Sequence, residues 1–402
     1  MHDLVATDSP SEIHAFEQAL ANQLGGGEAV VFASGRMAFY AILKSWGVGP
    51  GDEVILPAFT CGVMANAILR VGAKPVFSDI DLRTLGTGPE GVEACITPRT
   101  KVIVAQHSFG IPCDIDSLRS LATRHHLKII EDCSLTLDSK IDGQPVGTFA
   151  DAAIFSFDHS KPLNALIGGA AFSKDPAVIR RIKSLFPSLS PLSSAHQRRL
   201  YDQLLKETRH GSPCKWPRIL FFRRLSGIIR HRLCKAPPPI FLDGDFGLPS
   251  VSTPYPYPAA LPPFLAHIAC RELRRWPQER ERRRDILEKT LHLLRSSSWQ
   301  GFVPEAYSNP RLEIVPLRIL SLVPREDPLR KRLGSLVDTD AFLFTEPIMP
   351  HSSTLQELGY SPGSCLQSEQ ACHTIVNLPA VLAEESKTFY LERLSMLCRT
   401  ST

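Results

Sequence analysis

Between Gly25 and about Arg180, short apolar runs alternate with longer amphipathic stretches, and this constrains the fold more than any other feature. Glu53-Val-Ile-Leu-Pro57, Lys74-Pro-Val-Phe-Ser78, Lys101-Val-Ile-Val-Ala105 and Leu127-Lys-Ile-Ile-Glu131 have strand length and are rich in β-branched residues. Asp151–Phe157 and Gly169–Ser173 complete the set. Helical patterns fall between them: to Trp46 from a strand end at Val30, Cys61–Val71, and Ser117–His126. Runs buried on both faces, separated by helices, predict an α/β fold with a mostly parallel central sheet covered by helices on both sides. Such sheets take ligands at the carboxyl ends of their strands.

Composition excludes several classes. A net charge of +4 over 402 residues gives no general electrostatic case for nucleic acid. The ten cysteines form no Cys-x-x-Cys pair and no Cys/His cluster with zinc spacing, so no metal site is expected. They fit a reducing compartment, hence a cytoplasmic chain. The N-terminus lacks the basic and apolar regions of a signal peptide, and no run reaches the ~18 apolar residues that span a bilayer.

The pattern changes after about Ser188. Residues 194–235 carry eleven Lys/Arg against two acids, and Pro254-Tyr-Pro-Tyr-Pro258 follows. We therefore divide the chain into a large unit over 1–187, a basic and proline-rich insertion over 188–258, and a connecting helix with a smaller α/β unit over 259–402. The helix starts near Leu261, with an interruption expected at Pro277. Arg280-Glu-Arg-Arg-Arg284 reads as its solvated face. Strands are expected at Leu312–Leu322, Ala341–Phe344 and His373–Leu378, and a terminal helix at Glu384–Cys398. Within the insertion, Ile219–Leu233 has a basic amphipathic pattern, which suits either an anionic membrane surface or packing on the protein itself.

Three separated sites fit one cofactor. Asp132 follows an apolar strand, where a carboxylate pairs well with a protonated ring nitrogen. Lys161, in Phe155-Ser-Phe-Asp-His-Ser-Lys161, follows another strand; burial there favours the neutral amine that Schiff-base chemistry requires. Ser34-Gly35 opens a helix, where backbone N–H groups meet a phosphate; Arg36 and the Ser156 hydroxyl would add to that site. Each alone has a plainer reading, as a turn aspartate, a loop lysine and a helix cap. His107 and His159 are further candidates to line the pocket.

The order of these landmarks resembles the DegT-type (DegT/DnrJ/StrS) sugar aminotransferases, which are fold-type I pyridoxal-phosphate enzymes. The resemblance rests on Ala33-Ser-Gly-Arg-Met-Ala38, Gly49-Pro-Gly-Asp-Glu-Val-Ile-Leu-Pro57, Gly72–Asp81, Ile96-Thr-Pro-Arg-Thr-Lys101, Glu131-Asp132 and Val146–Asp151. Gly359–Cys365 and Ile375-Val-Asn-Leu-Pro379 continue it in the tail. It implies pyridoxal 5'-phosphate held covalently by Lys161, which then shuttles the substrate proton. It implies Asp132 on the pyridine nitrogen, and Ser34, Gly35, Arg36 and Ser156 around the phosphate. The substrates it implies are an amino acid, glutamate first, and a nucleotide-linked keto-sugar of glycan biosynthesis. Since the family's sites lie between subunits, it also implies a homodimer.

Four departures stand out. Arg36 replaces the usual Thr. Cys61 stands where an aromatic residue commonly stacks on the ring, and Leu135 where Gln or His is usual. Pro254–Leu261 lacks the Asn-Tyr-Arg segment that reaches the neighbouring site. Two alternatives therefore stay open: a sugar dehydratase of the same family, in which histidine replaces the lysine, and a non-catalytic binding protein.

Overall fold

The computed structural model describes residues 10–210, 242, 245–250, 254–337, 339 and 344–399. The basic amphipathic stretch 219–233 and residues 341–343 lie outside the described residues. Among the described residues, no helix is long and apolar enough to cross a membrane.

The centre is a seven-stranded sheet. Its strands are β1 (Glu28–Phe32), β2 (Glu53–Pro57), β3 (Lys74–Ser78), β4 (Thr100–Gln106), β5 (Lys128–Asp132), β6 (Ala152–Ser156) and β7 (Gly169–Ser173). Their order across the sheet is β1-β7-β6-β5-β4-β2-β3. β6, β5, β4, β2 and β3 are parallel, while β7 runs antiparallel to both β6 and β1. The parallel run is register-matched, with Gln106 of β4 opposite Asp132 of β5 and Asp132 opposite Ile154 of β6. Most side chains in the middle of these strands are apolar and buried, each large aliphatic or aromatic one worth about 1.5–3 kcal/mol.

Helices α1 (Pro10–Gln23), α2 (Gly35–Ser45), α3 (Gly62–Arg70), α4 (Ile115–His125) and α5 (Pro176–Leu185) accompany these strands. Helix α6 (Ser194–His210) belongs to the same packing unit, since Leu200 and Leu204 are buried in the main core and Tyr201 packs edge-on against Phe264. α7 (Pro263–Arg295) is one continuous helix of 33 residues with Pro277 inside it. The interruption expected there does not occur. The missing N–H is tolerated because buried Leu273 and Trp276 before it, and Ile286 and Leu287 after it, anchor both sides.

Arg283 also departs from the solvated face expected of it. It is 5% exposed, donates from Nε to Glu279 at 3.0 Å and from Nη1 to the Pro316 carbonyl at 3.0 Å, and lies over Trp276.

A second core gathers the end of α7, helix α8 (Glu384–Arg399) and a two-stranded antiparallel pair, Arg318–Leu322 with Ile375–Pro379. The run Leu312–Leu322 is thus not one strand. Leu312–Glu313 pairs with Lys140–Ile141, and the chain passes Pro316 before it pairs again.

One backbone contact fixes where α2 begins. Ser34 and Gly168 form a parallel bridge, and a Cβ on Gly169 would stand 2.1 Å from the Gly35 nitrogen. Gly169→Ala is therefore expected to destabilise the protein by about 2–3 kcal/mol in urea unfolding. Gly301→Ala is the control, because a Cβ there meets nothing within 4 Å. It is expected to stay within about 0.5 kcal/mol.

Candidate active site

The carboxyl edge of the sheet collects every residue singled out in the sequence for the cofactor. Ser34, Gly35 and Arg36 follow β1; Cys61 follows β2; Asp132 ends β5; Ser156 ends β6; Lys161 lies in the loop between β6 and β7. All seven line one cavity of about 440 Å³. The antiparallel β7 matters here, because it brings Gly168 back to the edge that Ser156 leaves.

The phosphate end holds a buried polar atom without a protein partner among the described residues. Ser34 precedes α2 in extended geometry, yet its side chain makes no capping bond, and its Oγ is buried without a hydrogen-bond partner among the described residues. The cap reading therefore fails, and a buried hydroxyl of this kind calls for a ligand acceptor. A Cβ on Gly35 would meet the Phe155 carbonyl at 3.1 Å and the Ser156 Cβ at 3.2 Å. The glycine thus lets the positive end of α2 open directly on the cavity.

At the ring end, Asp132 is 4% exposed. Its Oδ1 accepts the Ser134 N–H at 2.9 Å, and its other oxygen has no partner among the described residues. Lys161 donates its backbone N–H to the Asp158 carbonyl, and its ammonium makes no ion pair among the described residues. Beside it, Asp158 pairs with His159 at 2.7 Å. Burial alone would raise that carboxyl, but the His159 hydrogen bond and the nearby charges of His159 and Lys161 hold it below the usual range. Burial pushes the Cys61 thiol up, against the pull of Lys161, so the thiol stays protonated at neutral pH.

His107 does not line this cavity, whereas His159 does. His107 is fully buried behind it. Its Nδ1 accepts the Cys113 N–H at 3.1 Å, which leaves Nε2 to donate to Glu131 at 3.0 Å. Glu131 also accepts the N–H groups of Gly147, Phe149 and Ala150. His107, Glu131 and Cys133 bring three ligand atoms within 4.8 Å of one another. The two ring nitrogens and both carboxylate oxygens are already engaged, so this is a structural fastening.

Sequence reasoning missed part of the wall. Thr60 and Gln106 are joined by a 2.6 Å hydrogen bond, and Phe246, Phe344 and Met349 supply apolar surface. Gln106 was discoverable as the residue ending β4. Phe246 arrives from within the insertion, and nothing in its local sequence marks it.

The residues fit pyridoxal phosphate: an unpartnered hydroxyl at a helix N-terminus, a carboxylate with a free oxygen, and a lysine ammonium without a counter-ion share one cavity. They define a cofactor cleft of the kind that fold-type I transferases build at this sheet edge. Residues 6–203, just under half of the chain, match the model of the DegT/DnrJ/EryC1/StrS aminotransferase family. Over 172 residues the chain is 42% identical to a UDP-N-acetyl-3-dehydro-alpha-D-glucosamine 3-aminotransferase of Acidithiobacillus ferrooxidans, covering 42% of this chain and 47% of that one. Over 175 residues it is 41% identical to an L-glutamine:2-deoxy-scyllo-inosose aminotransferase of Streptomyces lividus, covering 44% and 41%. The chain thus matches less than half the length of these curated relatives. Solved structures agree in fold. Spr1654 of Streptococcus pneumoniae, in its PMP form, superposes with TM-score 0.72 at 20% identity, covering 100% of this chain and 96% of that one. DesV of S. venezuelae gives 0.70 at 23%, covering 96% and 89%.

Because the Ser34 hydroxyl is buried and unpaired, Ser34→Ala is expected to leave apoprotein stability unchanged or slightly raised. It is expected to weaken PLP binding on the order of tenfold, as loss of one charge-assisted hydrogen bond would. Thermal unfolding and a PLP titration followed by visible absorbance read the two effects separately.

Proposed function

We propose that this chain is a pyridoxal-phosphate-dependent aminotransferase that moves an amino group from an amino acid, glutamate first, to a nucleotide-linked keto-sugar. The observation that carries this reading is the convergence of Lys161, Asp132 and the unpaired Ser34 hydroxyl in one cavity. Pyridoxal phosphate, when bound, supplies the electron sink that makes a Cα–H bond of the amino donor acidic. Lys161 Nζ takes that proton and returns it on the acceptor side. The Asp132 carboxylate holds the proton on the pyridine nitrogen, and Ser34, Gly35, Arg36 and Ser156 hold the phosphate. Leu135, Ile167, Phe246 and Phe344 line the same cavity and would help to keep water from the bound cofactor.

A second cavity of about 650 Å³ meets the first at His159, Ser160 and Lys161. Arg275, Arg282, Arg283 and Arg318 line it, against Glu272 and Glu279. An excess of guanidinium beside the reactive lysine suits substrates with several negative charges, such as a dicarboxylic donor or a nucleotide diphosphate. We place both substrates there. Burial disfavours the charge on Arg318, and an anionic ligand beside it would offset that cost. A homodimer, a cytoplasmic setting and a role in glycan assembly are part of the same proposal. So is the division into units at 187 and 258.

Purified protein given PLP should turn yellow, and borohydride should fix the label on Lys161, as peptide mass mapping reads. Glutamate should then bleach the colour, and a nucleotide keto-sugar should restore it. No colour and no label would leave only a non-catalytic binding protein. Arg318→Met is expected to raise KM for the anionic substrate on the order of tenfold or more, with a smaller effect on kcat. An unchanged KM for donor and acceptor alike would remove the second cavity from the substrate path.

A further inference from the structure

Arg36 is the residue in the phosphate end of the cavity that most departs from the family pattern, and its side chain is fastened rather than free. Its Nε donates to Asp245 Oδ2 at 2.7 Å, and one Nη donates to the Leu242 carbonyl. Asp245 is wholly buried, with a side-chain exposure of 0%. Its second oxygen accepts from Arg70 of α3 at 2.9 Å, and the Tyr255 hydroxyl donates to Oδ2 at 3.0 Å. Arg70 is itself held, by Asn66 at 2.9 Å and by lying 4.2 Å from the centroid of the Tyr257 ring.

The charges of this cluster do not cancel. Two guanidinium groups face one carboxylate. Burial raises the hydroxyl of Tyr255 to about 12 and that of Tyr257 further, so both stay neutral. Among the described residues one positive charge remains, next to the positive end of α2 and to the unpaired Ser34 hydroxyl. The guanidinium is planar. Fixing Nε and one Nη therefore fixes the whole group, and the remaining Nη has no partner among the described residues. Arg36 is 11% exposed, and it lines the cofactor cavity. Asp245 does two things for it: it fixes the plane, and it screens Arg36 from the like charge of Arg70.

We propose that Asp245 is a positioning residue for the cofactor phosphate, holding Arg36 so that its free nitrogen faces the phosphate at the start of α2. The inference rests on the pyridoxal-phosphate reading. It adds a specific claim, that discrimination for the phosphorylated cofactor depends on a residue that never touches it. The same short segment places Leu242 and Phe246 in the cavity wall. A merely structural Asp245 would therefore act on that wall, and so on every vitamer alike.

The test is the ratio of the dissociation constants of the full-length apoprotein for pyridoxal and pyridoxal phosphate, read by visible absorbance. Asp245→Asn and Arg36→Met are each expected to shrink this ratio about tenfold, with pyridoxal binding little changed. The double variant should shrink it no further than either single one. Equal weakening of both vitamers in Asp245→Asn, or an unchanged ratio in Arg36→Met, overturns the proposal. If Asp245→Asn does not fold, Asp245→Glu reads the same ratio, since a longer arm keeps the charge but displaces the guanidinium. Wild-type protein that binds neither vitamer would sink the cofactor reading itself, and this proposal with it. Wild-type protein that binds pyridoxal phosphate, beside variants of unaltered ratio, would sink this proposal alone.

Discussion

The cavity depends on one place where backbone touches backbone. Gly169 starts the antiparallel strand β7, and Gly35 starts α2; the absence of a Cβ on Gly169 lets the two approach so closely, and the absence of one on Gly35 lets α2 sit against Phe155 and Ser156. That approach seats the helix N-terminus over the strand end, and the bridge from Ser34 to Gly168 keeps it there. The phosphate end, the lysine loop and the end of β6 thereby share one origin. A side chain added at this joint would lift α2 away from Ser156 and separate the hydroxyls from the helix dipole that acts with them.

Strand β5 adds the second constraint. Successive residues on a strand face opposite ways, so Glu131 and Asp132 divide the work. Glu131 turns inward and ties down 147–150 and His107, while Asp132 turns to the cavity. The Glu-Asp pair in the sequence is thus one fastening and one functional carboxylate, and the rigidity of the second depends on the first.

The alternation of apolar runs made the parallel sheet legible, because β2, β4, β5 and β6 are continuous buried strands with no competing pattern. The site was legible to the same extent, since Ser34, Asp132, Ser156 and Lys161 each lie within a few residues of a strand end. Residues placed by long-range packing were not legible. Asp245 is bound to Arg36 across 209 positions, and no local period signals that pairing. Arg283 looked solvated because it sits among charged neighbours, yet Trp276 and the Pro316 carbonyl take it inside. Pro277 was expected to break the helix because propensity is local, whereas two flanking cores decide the outcome.

The unbroken α7 has a mechanical consequence. At 1.5 Å per residue it is a rod of about 50 Å. Its first half, from Phe264 to Trp276, is embedded in the main core, and its second, from Ile286 to Leu294, in the other. The two cores are therefore joined along this element by a stiff beam rather than a hinge. Any motion that opens the Lys161 cleft along this connection must flex the beam. Its softest point is the turn around Pro277, where the ladder of hydrogen bonds lacks a rung, one residue from Gln278 in the wall of the second cavity.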